Sequence, residues 1–394
     1  MSDPSRPSSA LPRPVAGRPG VVLVGAHGYG RGYLERLARL DAAGRLRLAG
    51  VADPRPLDAG QRELAGGARY GQDAAAVIAA AGPDLVVLAT PVHTHVDLAL
   101  LALRHGAHVL LEKPPAPTLD GLDRLLAAQR DTGLACQVGF QAFGSGAVGA
   151  LRRQIGDGVL GRLLRINVTG LWSRDDTYWS RAAWAGRRWL DGRPVNDGAL
   201  TNPFAHGVAL ALCLDGSAGD QSVGQVELDT YRTRAAEAHD TASARIITAR
   251  GTPVTIAVTL CAGQPSEPAV EVVGSEGTAV LDYTEDRLST RAGSGPHSRT
   301  GLLENLLDHL ADRSVPLLVP LAHTRAFTEV AEAVLRGPAP TFLTERSVAA
   351  LPELVRTAAA TGRLFCELGA EQADLDWPAA APFRWTPPQQ PPSP

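Results

Sequence analysis

Lys113 is the single lysine among 38 basic residues; the other 37 are arginine. The two side chains do different chemistry. An ammonium is a compact charge that can shift its pKa and share or release a proton, whereas a guanidinium stays charged and presents a larger planar fork. A lysine kept in a chain that otherwise uses arginine points to polarisation of a reacting oxygen or to proton sharing. It stands in "HVLLEKPP", directly after an apolar run with the pattern of a buried strand. Codon bias alone would leave a lysine at any of the 38 positions with equal chance.

A second set of residues is built for anions. "VVLVGAHGYGRGYLERL" places Gly25, Gly28 and Gly30 between a strand and a helix, with Tyr29 inside the turn. Backbone N–H groups at such a helix N-terminus can hold a pyrophosphate. Gly25 and Gly30 satisfy the G-x-G-x-x-G spacing of dinucleotide-binding loops, but His27 occupies the middle glycine. That glycine normally lets phosphates approach the backbone, so the His27 ring must point away or touch the phosphates itself, with Gly28 relieving the crowding. Asp53 follows the next strand and stands where a carboxylate would accept hydrogen bonds from an adenosine ribose and repel a 2′-phosphate. NAD is expected over NADP, although Arg31 and Arg55 lie close enough in sequence to meet a 2′-phosphate. A tight turn without ligand, and a turn carboxylate before Pro54, are the plainer readings of these two features.

The elements that must position these groups alternate. Apolar runs at "VVLVG", "LRLAGVAD", "PDLVVLATP", "HVLLE" and "ACQVGF" are separated by amphipathic helical stretches. Strands apolar throughout, alternating with helices, predict a parallel sheet covered on both faces, a Rossmann-type doubly wound α/β domain over residues 20–141. From residue 142 the rhythm changes. After a helix near 146–156 come strand-like runs beginning at "GRLLRINVTGLW" and continuing at 225–233, 242–249, 253–261, 268–273 and 277–283. Short turns between them predict an α+β domain over 142–368 on a largely antiparallel sheet, closed by helices free to pack on either domain. Residues 1–19 read as a disordered lead-in without signal character, and 369–394 as a proline-rich tail. Trp377, Phe383 and Trp385 in that tail predict that part of it docks.

With 44% hydrophobic residues the chain can bury two cores, and its net charge of −3 is spread without a basic stripe or acidic tail. Nucleic-acid and membrane partners are therefore not expected, and a small molecule is. Cys136, Cys213, Cys261 and Cys366 are too scattered for a disulfide framework and suit a reducing, cytoplasmic compartment. His93 and His95 form an HxH, but no Cys or carboxylate cluster completes a metal set, so no metal is expected. Between the domains, Trp172, Tyr178, Trp179, Trp184 and Trp189 alternate with arginines. The stretch reads either as a packed loop or as a lid of stacking aromatics and Arg donors over a polyhydroxylated or carboxylated substrate.

"PDLVVLATPVHTHVDLALLALRHGAHVLLEKPP", with the glycine loop before it and "VGSEGTAVLDYTEDRL" after it, strongly resembles the glucose–fructose oxidoreductase/inositol dehydrogenase/MocA family over residues 20–368. The resemblance implies an NAD(P)-dependent oxidoreductase acting on a carbinol carbon of a sugar, cyclitol or sugar-derived acid, and a homo-oligomer. It places Lys113 beside nicotinamide ribose and substrate oxygen, with Glu112 and Pro114 setting its position. Thr90, Pro91 and His95 become cofactor-side residues, His95 in a loop. It implies a helix carrying an acid/base histidine, here His206, preceded four residues earlier by an Asp. This chain has Asn202 there, and an amide can bond a hydroxyl but cannot take its proton. His206 is thus the expected acid/base, with Asn202, Gln141 and Trp184 at the substrate. Gln141 stands for a more usual Asn, and Phe143 for an Arg. Asn202, His27 and Phe143 keep open a second reading, a nucleotide-binding sensor or scaffold without turnover.

Overall fold

The computed structural model describes residues 17–217 and 222–388, so most of the expected lead-in, residues 1–16, and the end of the tail lie outside the described residues. The described chain forms two compact units.

In the first unit six strands, β1 Gly20–Val24, β2 Arg47–Ala52, β3 Arg69–Gly71, β4 Leu85–Leu88, β5 His108–Leu111 and β6 Cys136–Val138, lie in the order β3-β2-β1-β4-β5-β6. Every pairing among them is parallel. The reason is in the residues: Val21, Leu23, Val86, Val87, Leu110 and Leu111 are fully buried, so both faces of the sheet need cover. Helices α1 Tyr29–Ala42, α2 Ala59–Ala65, α3 Ala74–Ala81, α4 His95–Arg104 and α5 Leu119–Thr132 make the connections. Asp58 and Asp73 cap α2 and α3, and left-handed Gly82 closes α3.

The second unit holds α6 Gly146–Gly156, β7 Leu163–Ser173, α7 Asp176–Trp179, the short pair β8 Trp189–Leu190 and β9 Arg193–Pro194, and α8 Ala205–Ala211. Strands β10 Gln225–Arg232, β11 Thr241–Ile247, β12 Pro253–Thr259, β13 Cys261–Gly274, β14 Thr278–Asp282, β15 Arg287–Thr290 and β16 Gly293–Pro296 follow. With β7, β17 Thr341–Phe342 and β18 Phe383–Trp385 they build a ten-stranded sheet. It is largely antiparallel, β7–β12 and β10–β17 being its parallel pairs. Helices α10 Arg325–Arg336, α11 Glu345–Thr361 and α12 Phe365–Gly369 complete this unit. Leu351, Leu354, Val355 and Ala358 of α11 pack with Tyr231 and Phe365.

The tail does carry structure. Phe383 and Trp385 sit in β18, paired antiparallel with β10, and Trp377 Nε1 donates to Tyr231 Oη at 3.1 Å.

The linear division at residue 141 misses one return of the chain. Residues 302–321, including α9 Leu302–Ala311, pack with the first unit. Arg36 pairs with Glu304 at 2.5 Å and Arg45 with Asp308 at 2.7 Å. Gln137 donates to Leu302 O at 2.6 Å, and Val138 N donates to Val319 O at 3.0 Å. A periodic apolar helix shows that it must be buried, not against which domain. Among the described residues, no helix is long and apolar enough to cross a membrane.

Candidate active site

In the first unit the groups of interest collect on one edge of the sheet, the carboxyl ends of its parallel strands. The glycine loop follows β1, Asp53 follows β2, Thr90 and Pro91 follow β4, and Glu112 and Lys113 follow β5. This is the edge at which doubly wound sheets take ligands.

The glycine loop is tightly specified. Gly25 has φ +87°, and a Cβ on it would run into the Ala89 carbonyl; one on Gly30 would run into the carbonyl of Gly25. Helix α1 opens at Gly28 with no capping side chain and no acidic residue in its first turn. An uncapped, carboxylate-free helix start beside a close backbone approach fits a dinucleotide pyrophosphate. Replacing Gly30 by Ala is expected to cost about 1–3 kcal/mol of stability through overpacking and at least tenfold in nucleotide affinity. Thermal melting and nucleotide titration check both.

Asp53 is buried and holds this loop. Its Oδ2 accepts from Ala26 N at 2.8 Å and His27 N at 3.3 Å, and its Oδ1 accepts from Arg55 N at 2.9 Å. The His27 ring answers the question raised by its position: Nδ1 turns back to lie 3.0 Å from Asp53 Oδ2. Burial alone would raise the Asp53 pKa, but the His27 contact and the backbone N–H groups of Arg55 and Ala26 outweigh it and hold the carboxyl below its ordinary value. Asp53 is therefore an ionised anchor of the loop as well as a candidate ribose ligand. Tyr29, the first residue of α1, is largely exposed, its ring edge-on to Tyr33 at 5.8 Å.

His95 differs from the expected loop residue. It is the first residue of α4, fully buried, with Nδ1 2.7 Å from Pro114 O and Nε2 2.7 Å from Thr90 O. Burial pulls its pKa down to about 4 against those two carbonyls, so the ring is neutral at pH 7 and donates to one of them at a time. It ties the Thr90–Pro91 turn to the Lys113–Pro114 turn, and any effect it has on a ligand passes through those turns. Thr94 Oγ1, 2.8 Å from Thr90 Oγ1, braces the first of them.

Lys113 is half-buried and precedes a cis peptide to Pro114. Its neighbour Glu112 is buried, accepting from Tyr33 Oη at 2.7 Å and from Lys113 N at 3.1 Å. The same carboxylate fills the space over Gly139, where a Cβ would strike it. Glu112 thus fixes the turn that presents Lys113.

In the second unit His206 is the second residue of α8, half-buried and edge-on to Phe140 at 5.8 Å. Phe140 also packs on Phe327 at 5.0 Å and Phe143 at 6.3 Å. Phe143 is therefore core of this unit, capped by Arg152 5.5 Å from its ring centroid. Gln141 is half-buried, and its carbonyl accepts from Arg299 Nη1 at 3.0 Å.

Asn202 Nδ2 donates to Asp197 Oδ1 at 2.6 Å. Asp197, fully enclosed, also accepts from Arg181 Nη2 at 2.9 Å and Gly186 N at 2.8 Å. Arg181 is held between Tyr178, 3.8 Å from its ring centroid, and Trp184, at 4.5 Å. Trp184 is thus one wall of the stack around Arg181. Asp197 and Arg181 were not singled out from the sequence, because "VNDG" reads as an ordinary turn.

Residues 20–140 match the family described as oxidoreductase family, NAD-binding Rossmann fold, and residues 148–280 match the C-terminal domain of the same family. The chain is 27% identical over 244 residues to levoglucosan dehydrogenase of Pseudarthrobacter phenanthrenivorans, covering 56% of this chain and 61% of that protein. It is 31% identical over 138 residues to scyllo-inositol 2-dehydrogenase (NAD(+)) of Bacillus subtilis, covering 34% of this chain and 40% of that protein. The chain thus spans about three-fifths or less of these relatives' lengths. Among solved structures, the WlbA dehydrogenase of Chromobacterium violaceum, in complex with NADH and UDP-GlcNAcA, shares the fold with a TM-score of 0.69 at 20% identity, covering 82% of this chain and 95% of that one.

Proposed function

This chain belongs to the glucose–fructose oxidoreductase/inositol dehydrogenase/MocA family of oxidoreductases, and from that premise we propose that it is an NAD(P)-dependent dehydrogenase moving hydride between nicotinamide and a carbinol carbon of a sugar, cyclitol or sugar-derived substrate. The observation that carries the reading is the placement of the only lysine on the same carboxyl edge of the six-stranded sheet as the uncapped glycine loop. The names of the two relatives, a levoglucosan and a scyllo-inositol dehydrogenase, support a polyhydroxylated substrate.

The residues present fit the nucleotide. The Gly25–Gly30 loop and α1 would hold its pyrophosphate and Asp53 its adenosine ribose; Thr90, Pro91 and Glu112 frame the turns on the nicotinamide side. Bound nicotinamide would supply the hydride acceptor. The chain's own groups handle the proton and the charge: in oxidation His206 takes the hydroxyl proton while the Lys113 ammonium stabilises the developing alkoxide. Gln141, Asn202 and Trp184 serve substrate binding. A screen of polyols and ketosugars with each nucleotide, read by the near-ultraviolet absorbance of reduced nicotinamide, tests the proposal. Turnover of at least one polyol is expected, and none across the screen contradicts it.

NAD is the expected partner. Asp53 stays ionised, and Arg31 is already paired with Asp58 at 2.9 Å and Glu35 at 3.5 Å, which weakens its pull on a 2′-phosphate. Asp53→Ser should lower NAD affinity about tenfold and narrow the preference over NADP, as titration with both nucleotides would show. Unchanged affinities would remove Asp53 from the site.

The reading includes a cytoplasmic homo-oligomer. All four cysteines are free, and burial pushes the thiols of Cys136, Cys213 and Cys261 up to about 12, 11 and 11, which suits unreactive thiols in a reducing compartment.

A further inference from the structure

The outer edge of β10 is closed by the chain's own tail, and the fit is specific. Among the described residues β11 runs along one side of β10, while β17 reaches only Tyr231 and Arg232 on the other. There Val226–Leu228 is covered by β18, in the antiparallel register Val226–Trp385, Glu227–Arg384 and Leu228–Phe383. Side chains alternate along both strands, so directly opposed residues share a face. Val226 and Leu228 are buried, and Phe383 and Trp385 extend their apolar face, the Phe383 ring lying against Gly337 after α10. On the other face Arg384 Nε meets Glu227 Oε1 at 2.7 Å. An apolar–acidic–apolar edge thus receives an apolar–basic–apolar strand. A slip of one residue would set Arg384 on the apolar face.

Two parts of the tail are held differently. The first is an anchor. Trp377 packs edge-on to Tyr231 and Phe365, at 4.9 and 6.1 Å, and fills the space over Gly369, where a Cβ would strike its ring. Ser347 Oγ lies 3.1 Å from the carbonyl oxygens of both Leu375 and Asp376. Between this anchor and β18 the chain runs from Pro378 to Pro382 outside any helix or strand, with Ala379, Ala380 and Ala381 exposed. The strap beyond is three residues long, and Glu227 does not depend on it: Arg245 also binds this carboxylate, from Nε at 2.7 Å and Nη2 at 2.6 Å. Lifting β18 would leave no carboxylate unpaired there. Its cost is an open strand edge.

We propose that the β10 edge at Val226–Leu228 is a strand-accepting site for an extended apolar–basic–apolar peptide, occupied by this chain's own Phe383–Trp385, and that this occupancy keeps the edge from pairing with a second copy of the chain. The inference needs nothing from the dehydrogenase reading. Backbone N–H and C=O groups along an open edge pair with an extended chain, and the side chains of the edge select which one. Here two apolar positions and one acidic position make that selection, and the tail meets all three.

A full-length variant carrying Phe383→Ser and Trp385→Ser tests it, because Arg384 remains as a trypsin site. With the strap released, cleavage after Arg384, read by mass spectrometry as loss of residues 385–394, is expected to be about tenfold faster than in wild type. Light scattering over a range of concentrations should then show pairs of the wild-type species. An excess of a synthetic peptide of residues 379–388 should return the mass to the wild-type value, and the same peptide with Arg384→Glu should not. The first peptide should also raise the melting temperature of the variant, as a ligand of the folded state does.

Equal cleavage rates in variant and wild type would overturn the strap. Faster cleavage with an unchanged mass, and no rise in melting temperature with the peptide, would overturn the site. Trp385→Ser alone, which leaves Phe383 against Gly337, decides the matter in the same two ways if the double variant does not fold.

Discussion

Lys113→Arg is expected to lower turnover by about a thousandfold while leaving folding and NAD affinity close to wild type. The size follows from the role: proton handling and charge stabilisation by one positioned group are worth roughly 10²–10⁴ in rate. The charge survives the change, so a loss cannot be assigned to a missing cation. What changes is shape and acidity, because the guanidinium is larger and does not release a proton. The turn itself should hold, since Glu112 is anchored by Tyr33 Oη and receives the backbone N–H of residue 113. Steady-state kinetics with the best polyol, beside NAD titration and melting, decides the matter. An Arg variant with near-normal kcat would make the solitary lysine an accident of composition. Because there is one lysine, isotope labelling at lysine gives one side-chain signal, and that signal should move when NAD binds.

His206→Ala is expected to reduce oxidative turnover by roughly 10²–10⁴ and to remove the acid limb of the pH profile. In oxidation the neutral imidazole must accept the hydroxyl proton, so wild-type activity falls as the pH is lowered and the ring protonates. With no ring to protonate, the residual activity of the variant should lack that limb. The substitution removes an edge contact to Phe140, whose ring remains packed on Phe327 and Phe143, so the unit should stay folded. A variant that keeps the limb would assign the proton to another group.

How far the sequence reached depends on whether a signal was local. The apolar runs of β1, β2, β4, β5 and β6 needed only their own residues to be read as buried strands, and the spacing of Gly25 and Gly30 carries its own geometry. Lys113 was visible because its rarity is a property of the whole chain. Partnerships made over long sequence distances were not visible. Asp53 could be placed as a ribose ligand, but its hold on Ala26 and His27 follows from the parallel pairing of β1 and β2. His95 looked like a loop residue because the carbonyls it joins are those of Thr90 and Pro114, nineteen residues away in the second case. The return of residues 302–321 to the first unit is a choice between two apolar surfaces, which helical periodicity cannot make. Asp197 was hidden because a carboxylate before Gly198 looks like a solvated turn until Arg181, Gly186 and Asn202 are seen around it.

The central claim is that this chain transfers hydride from a carbinol carbon to nicotinamide. Incubating wild-type protein with NAD and a polyol deuterated at its carbinol carbons, then weighing the recovered nucleotide by mass spectrometry, tests it most directly. The account predicts reduced nucleotide that has gained one deuterium, with a matching loss from the polyol, and almost none of either with Lys113→Arg. Tight NAD binding with no deuterium in the nucleotide, across the polyols and ketosugars of the screen, would contradict it.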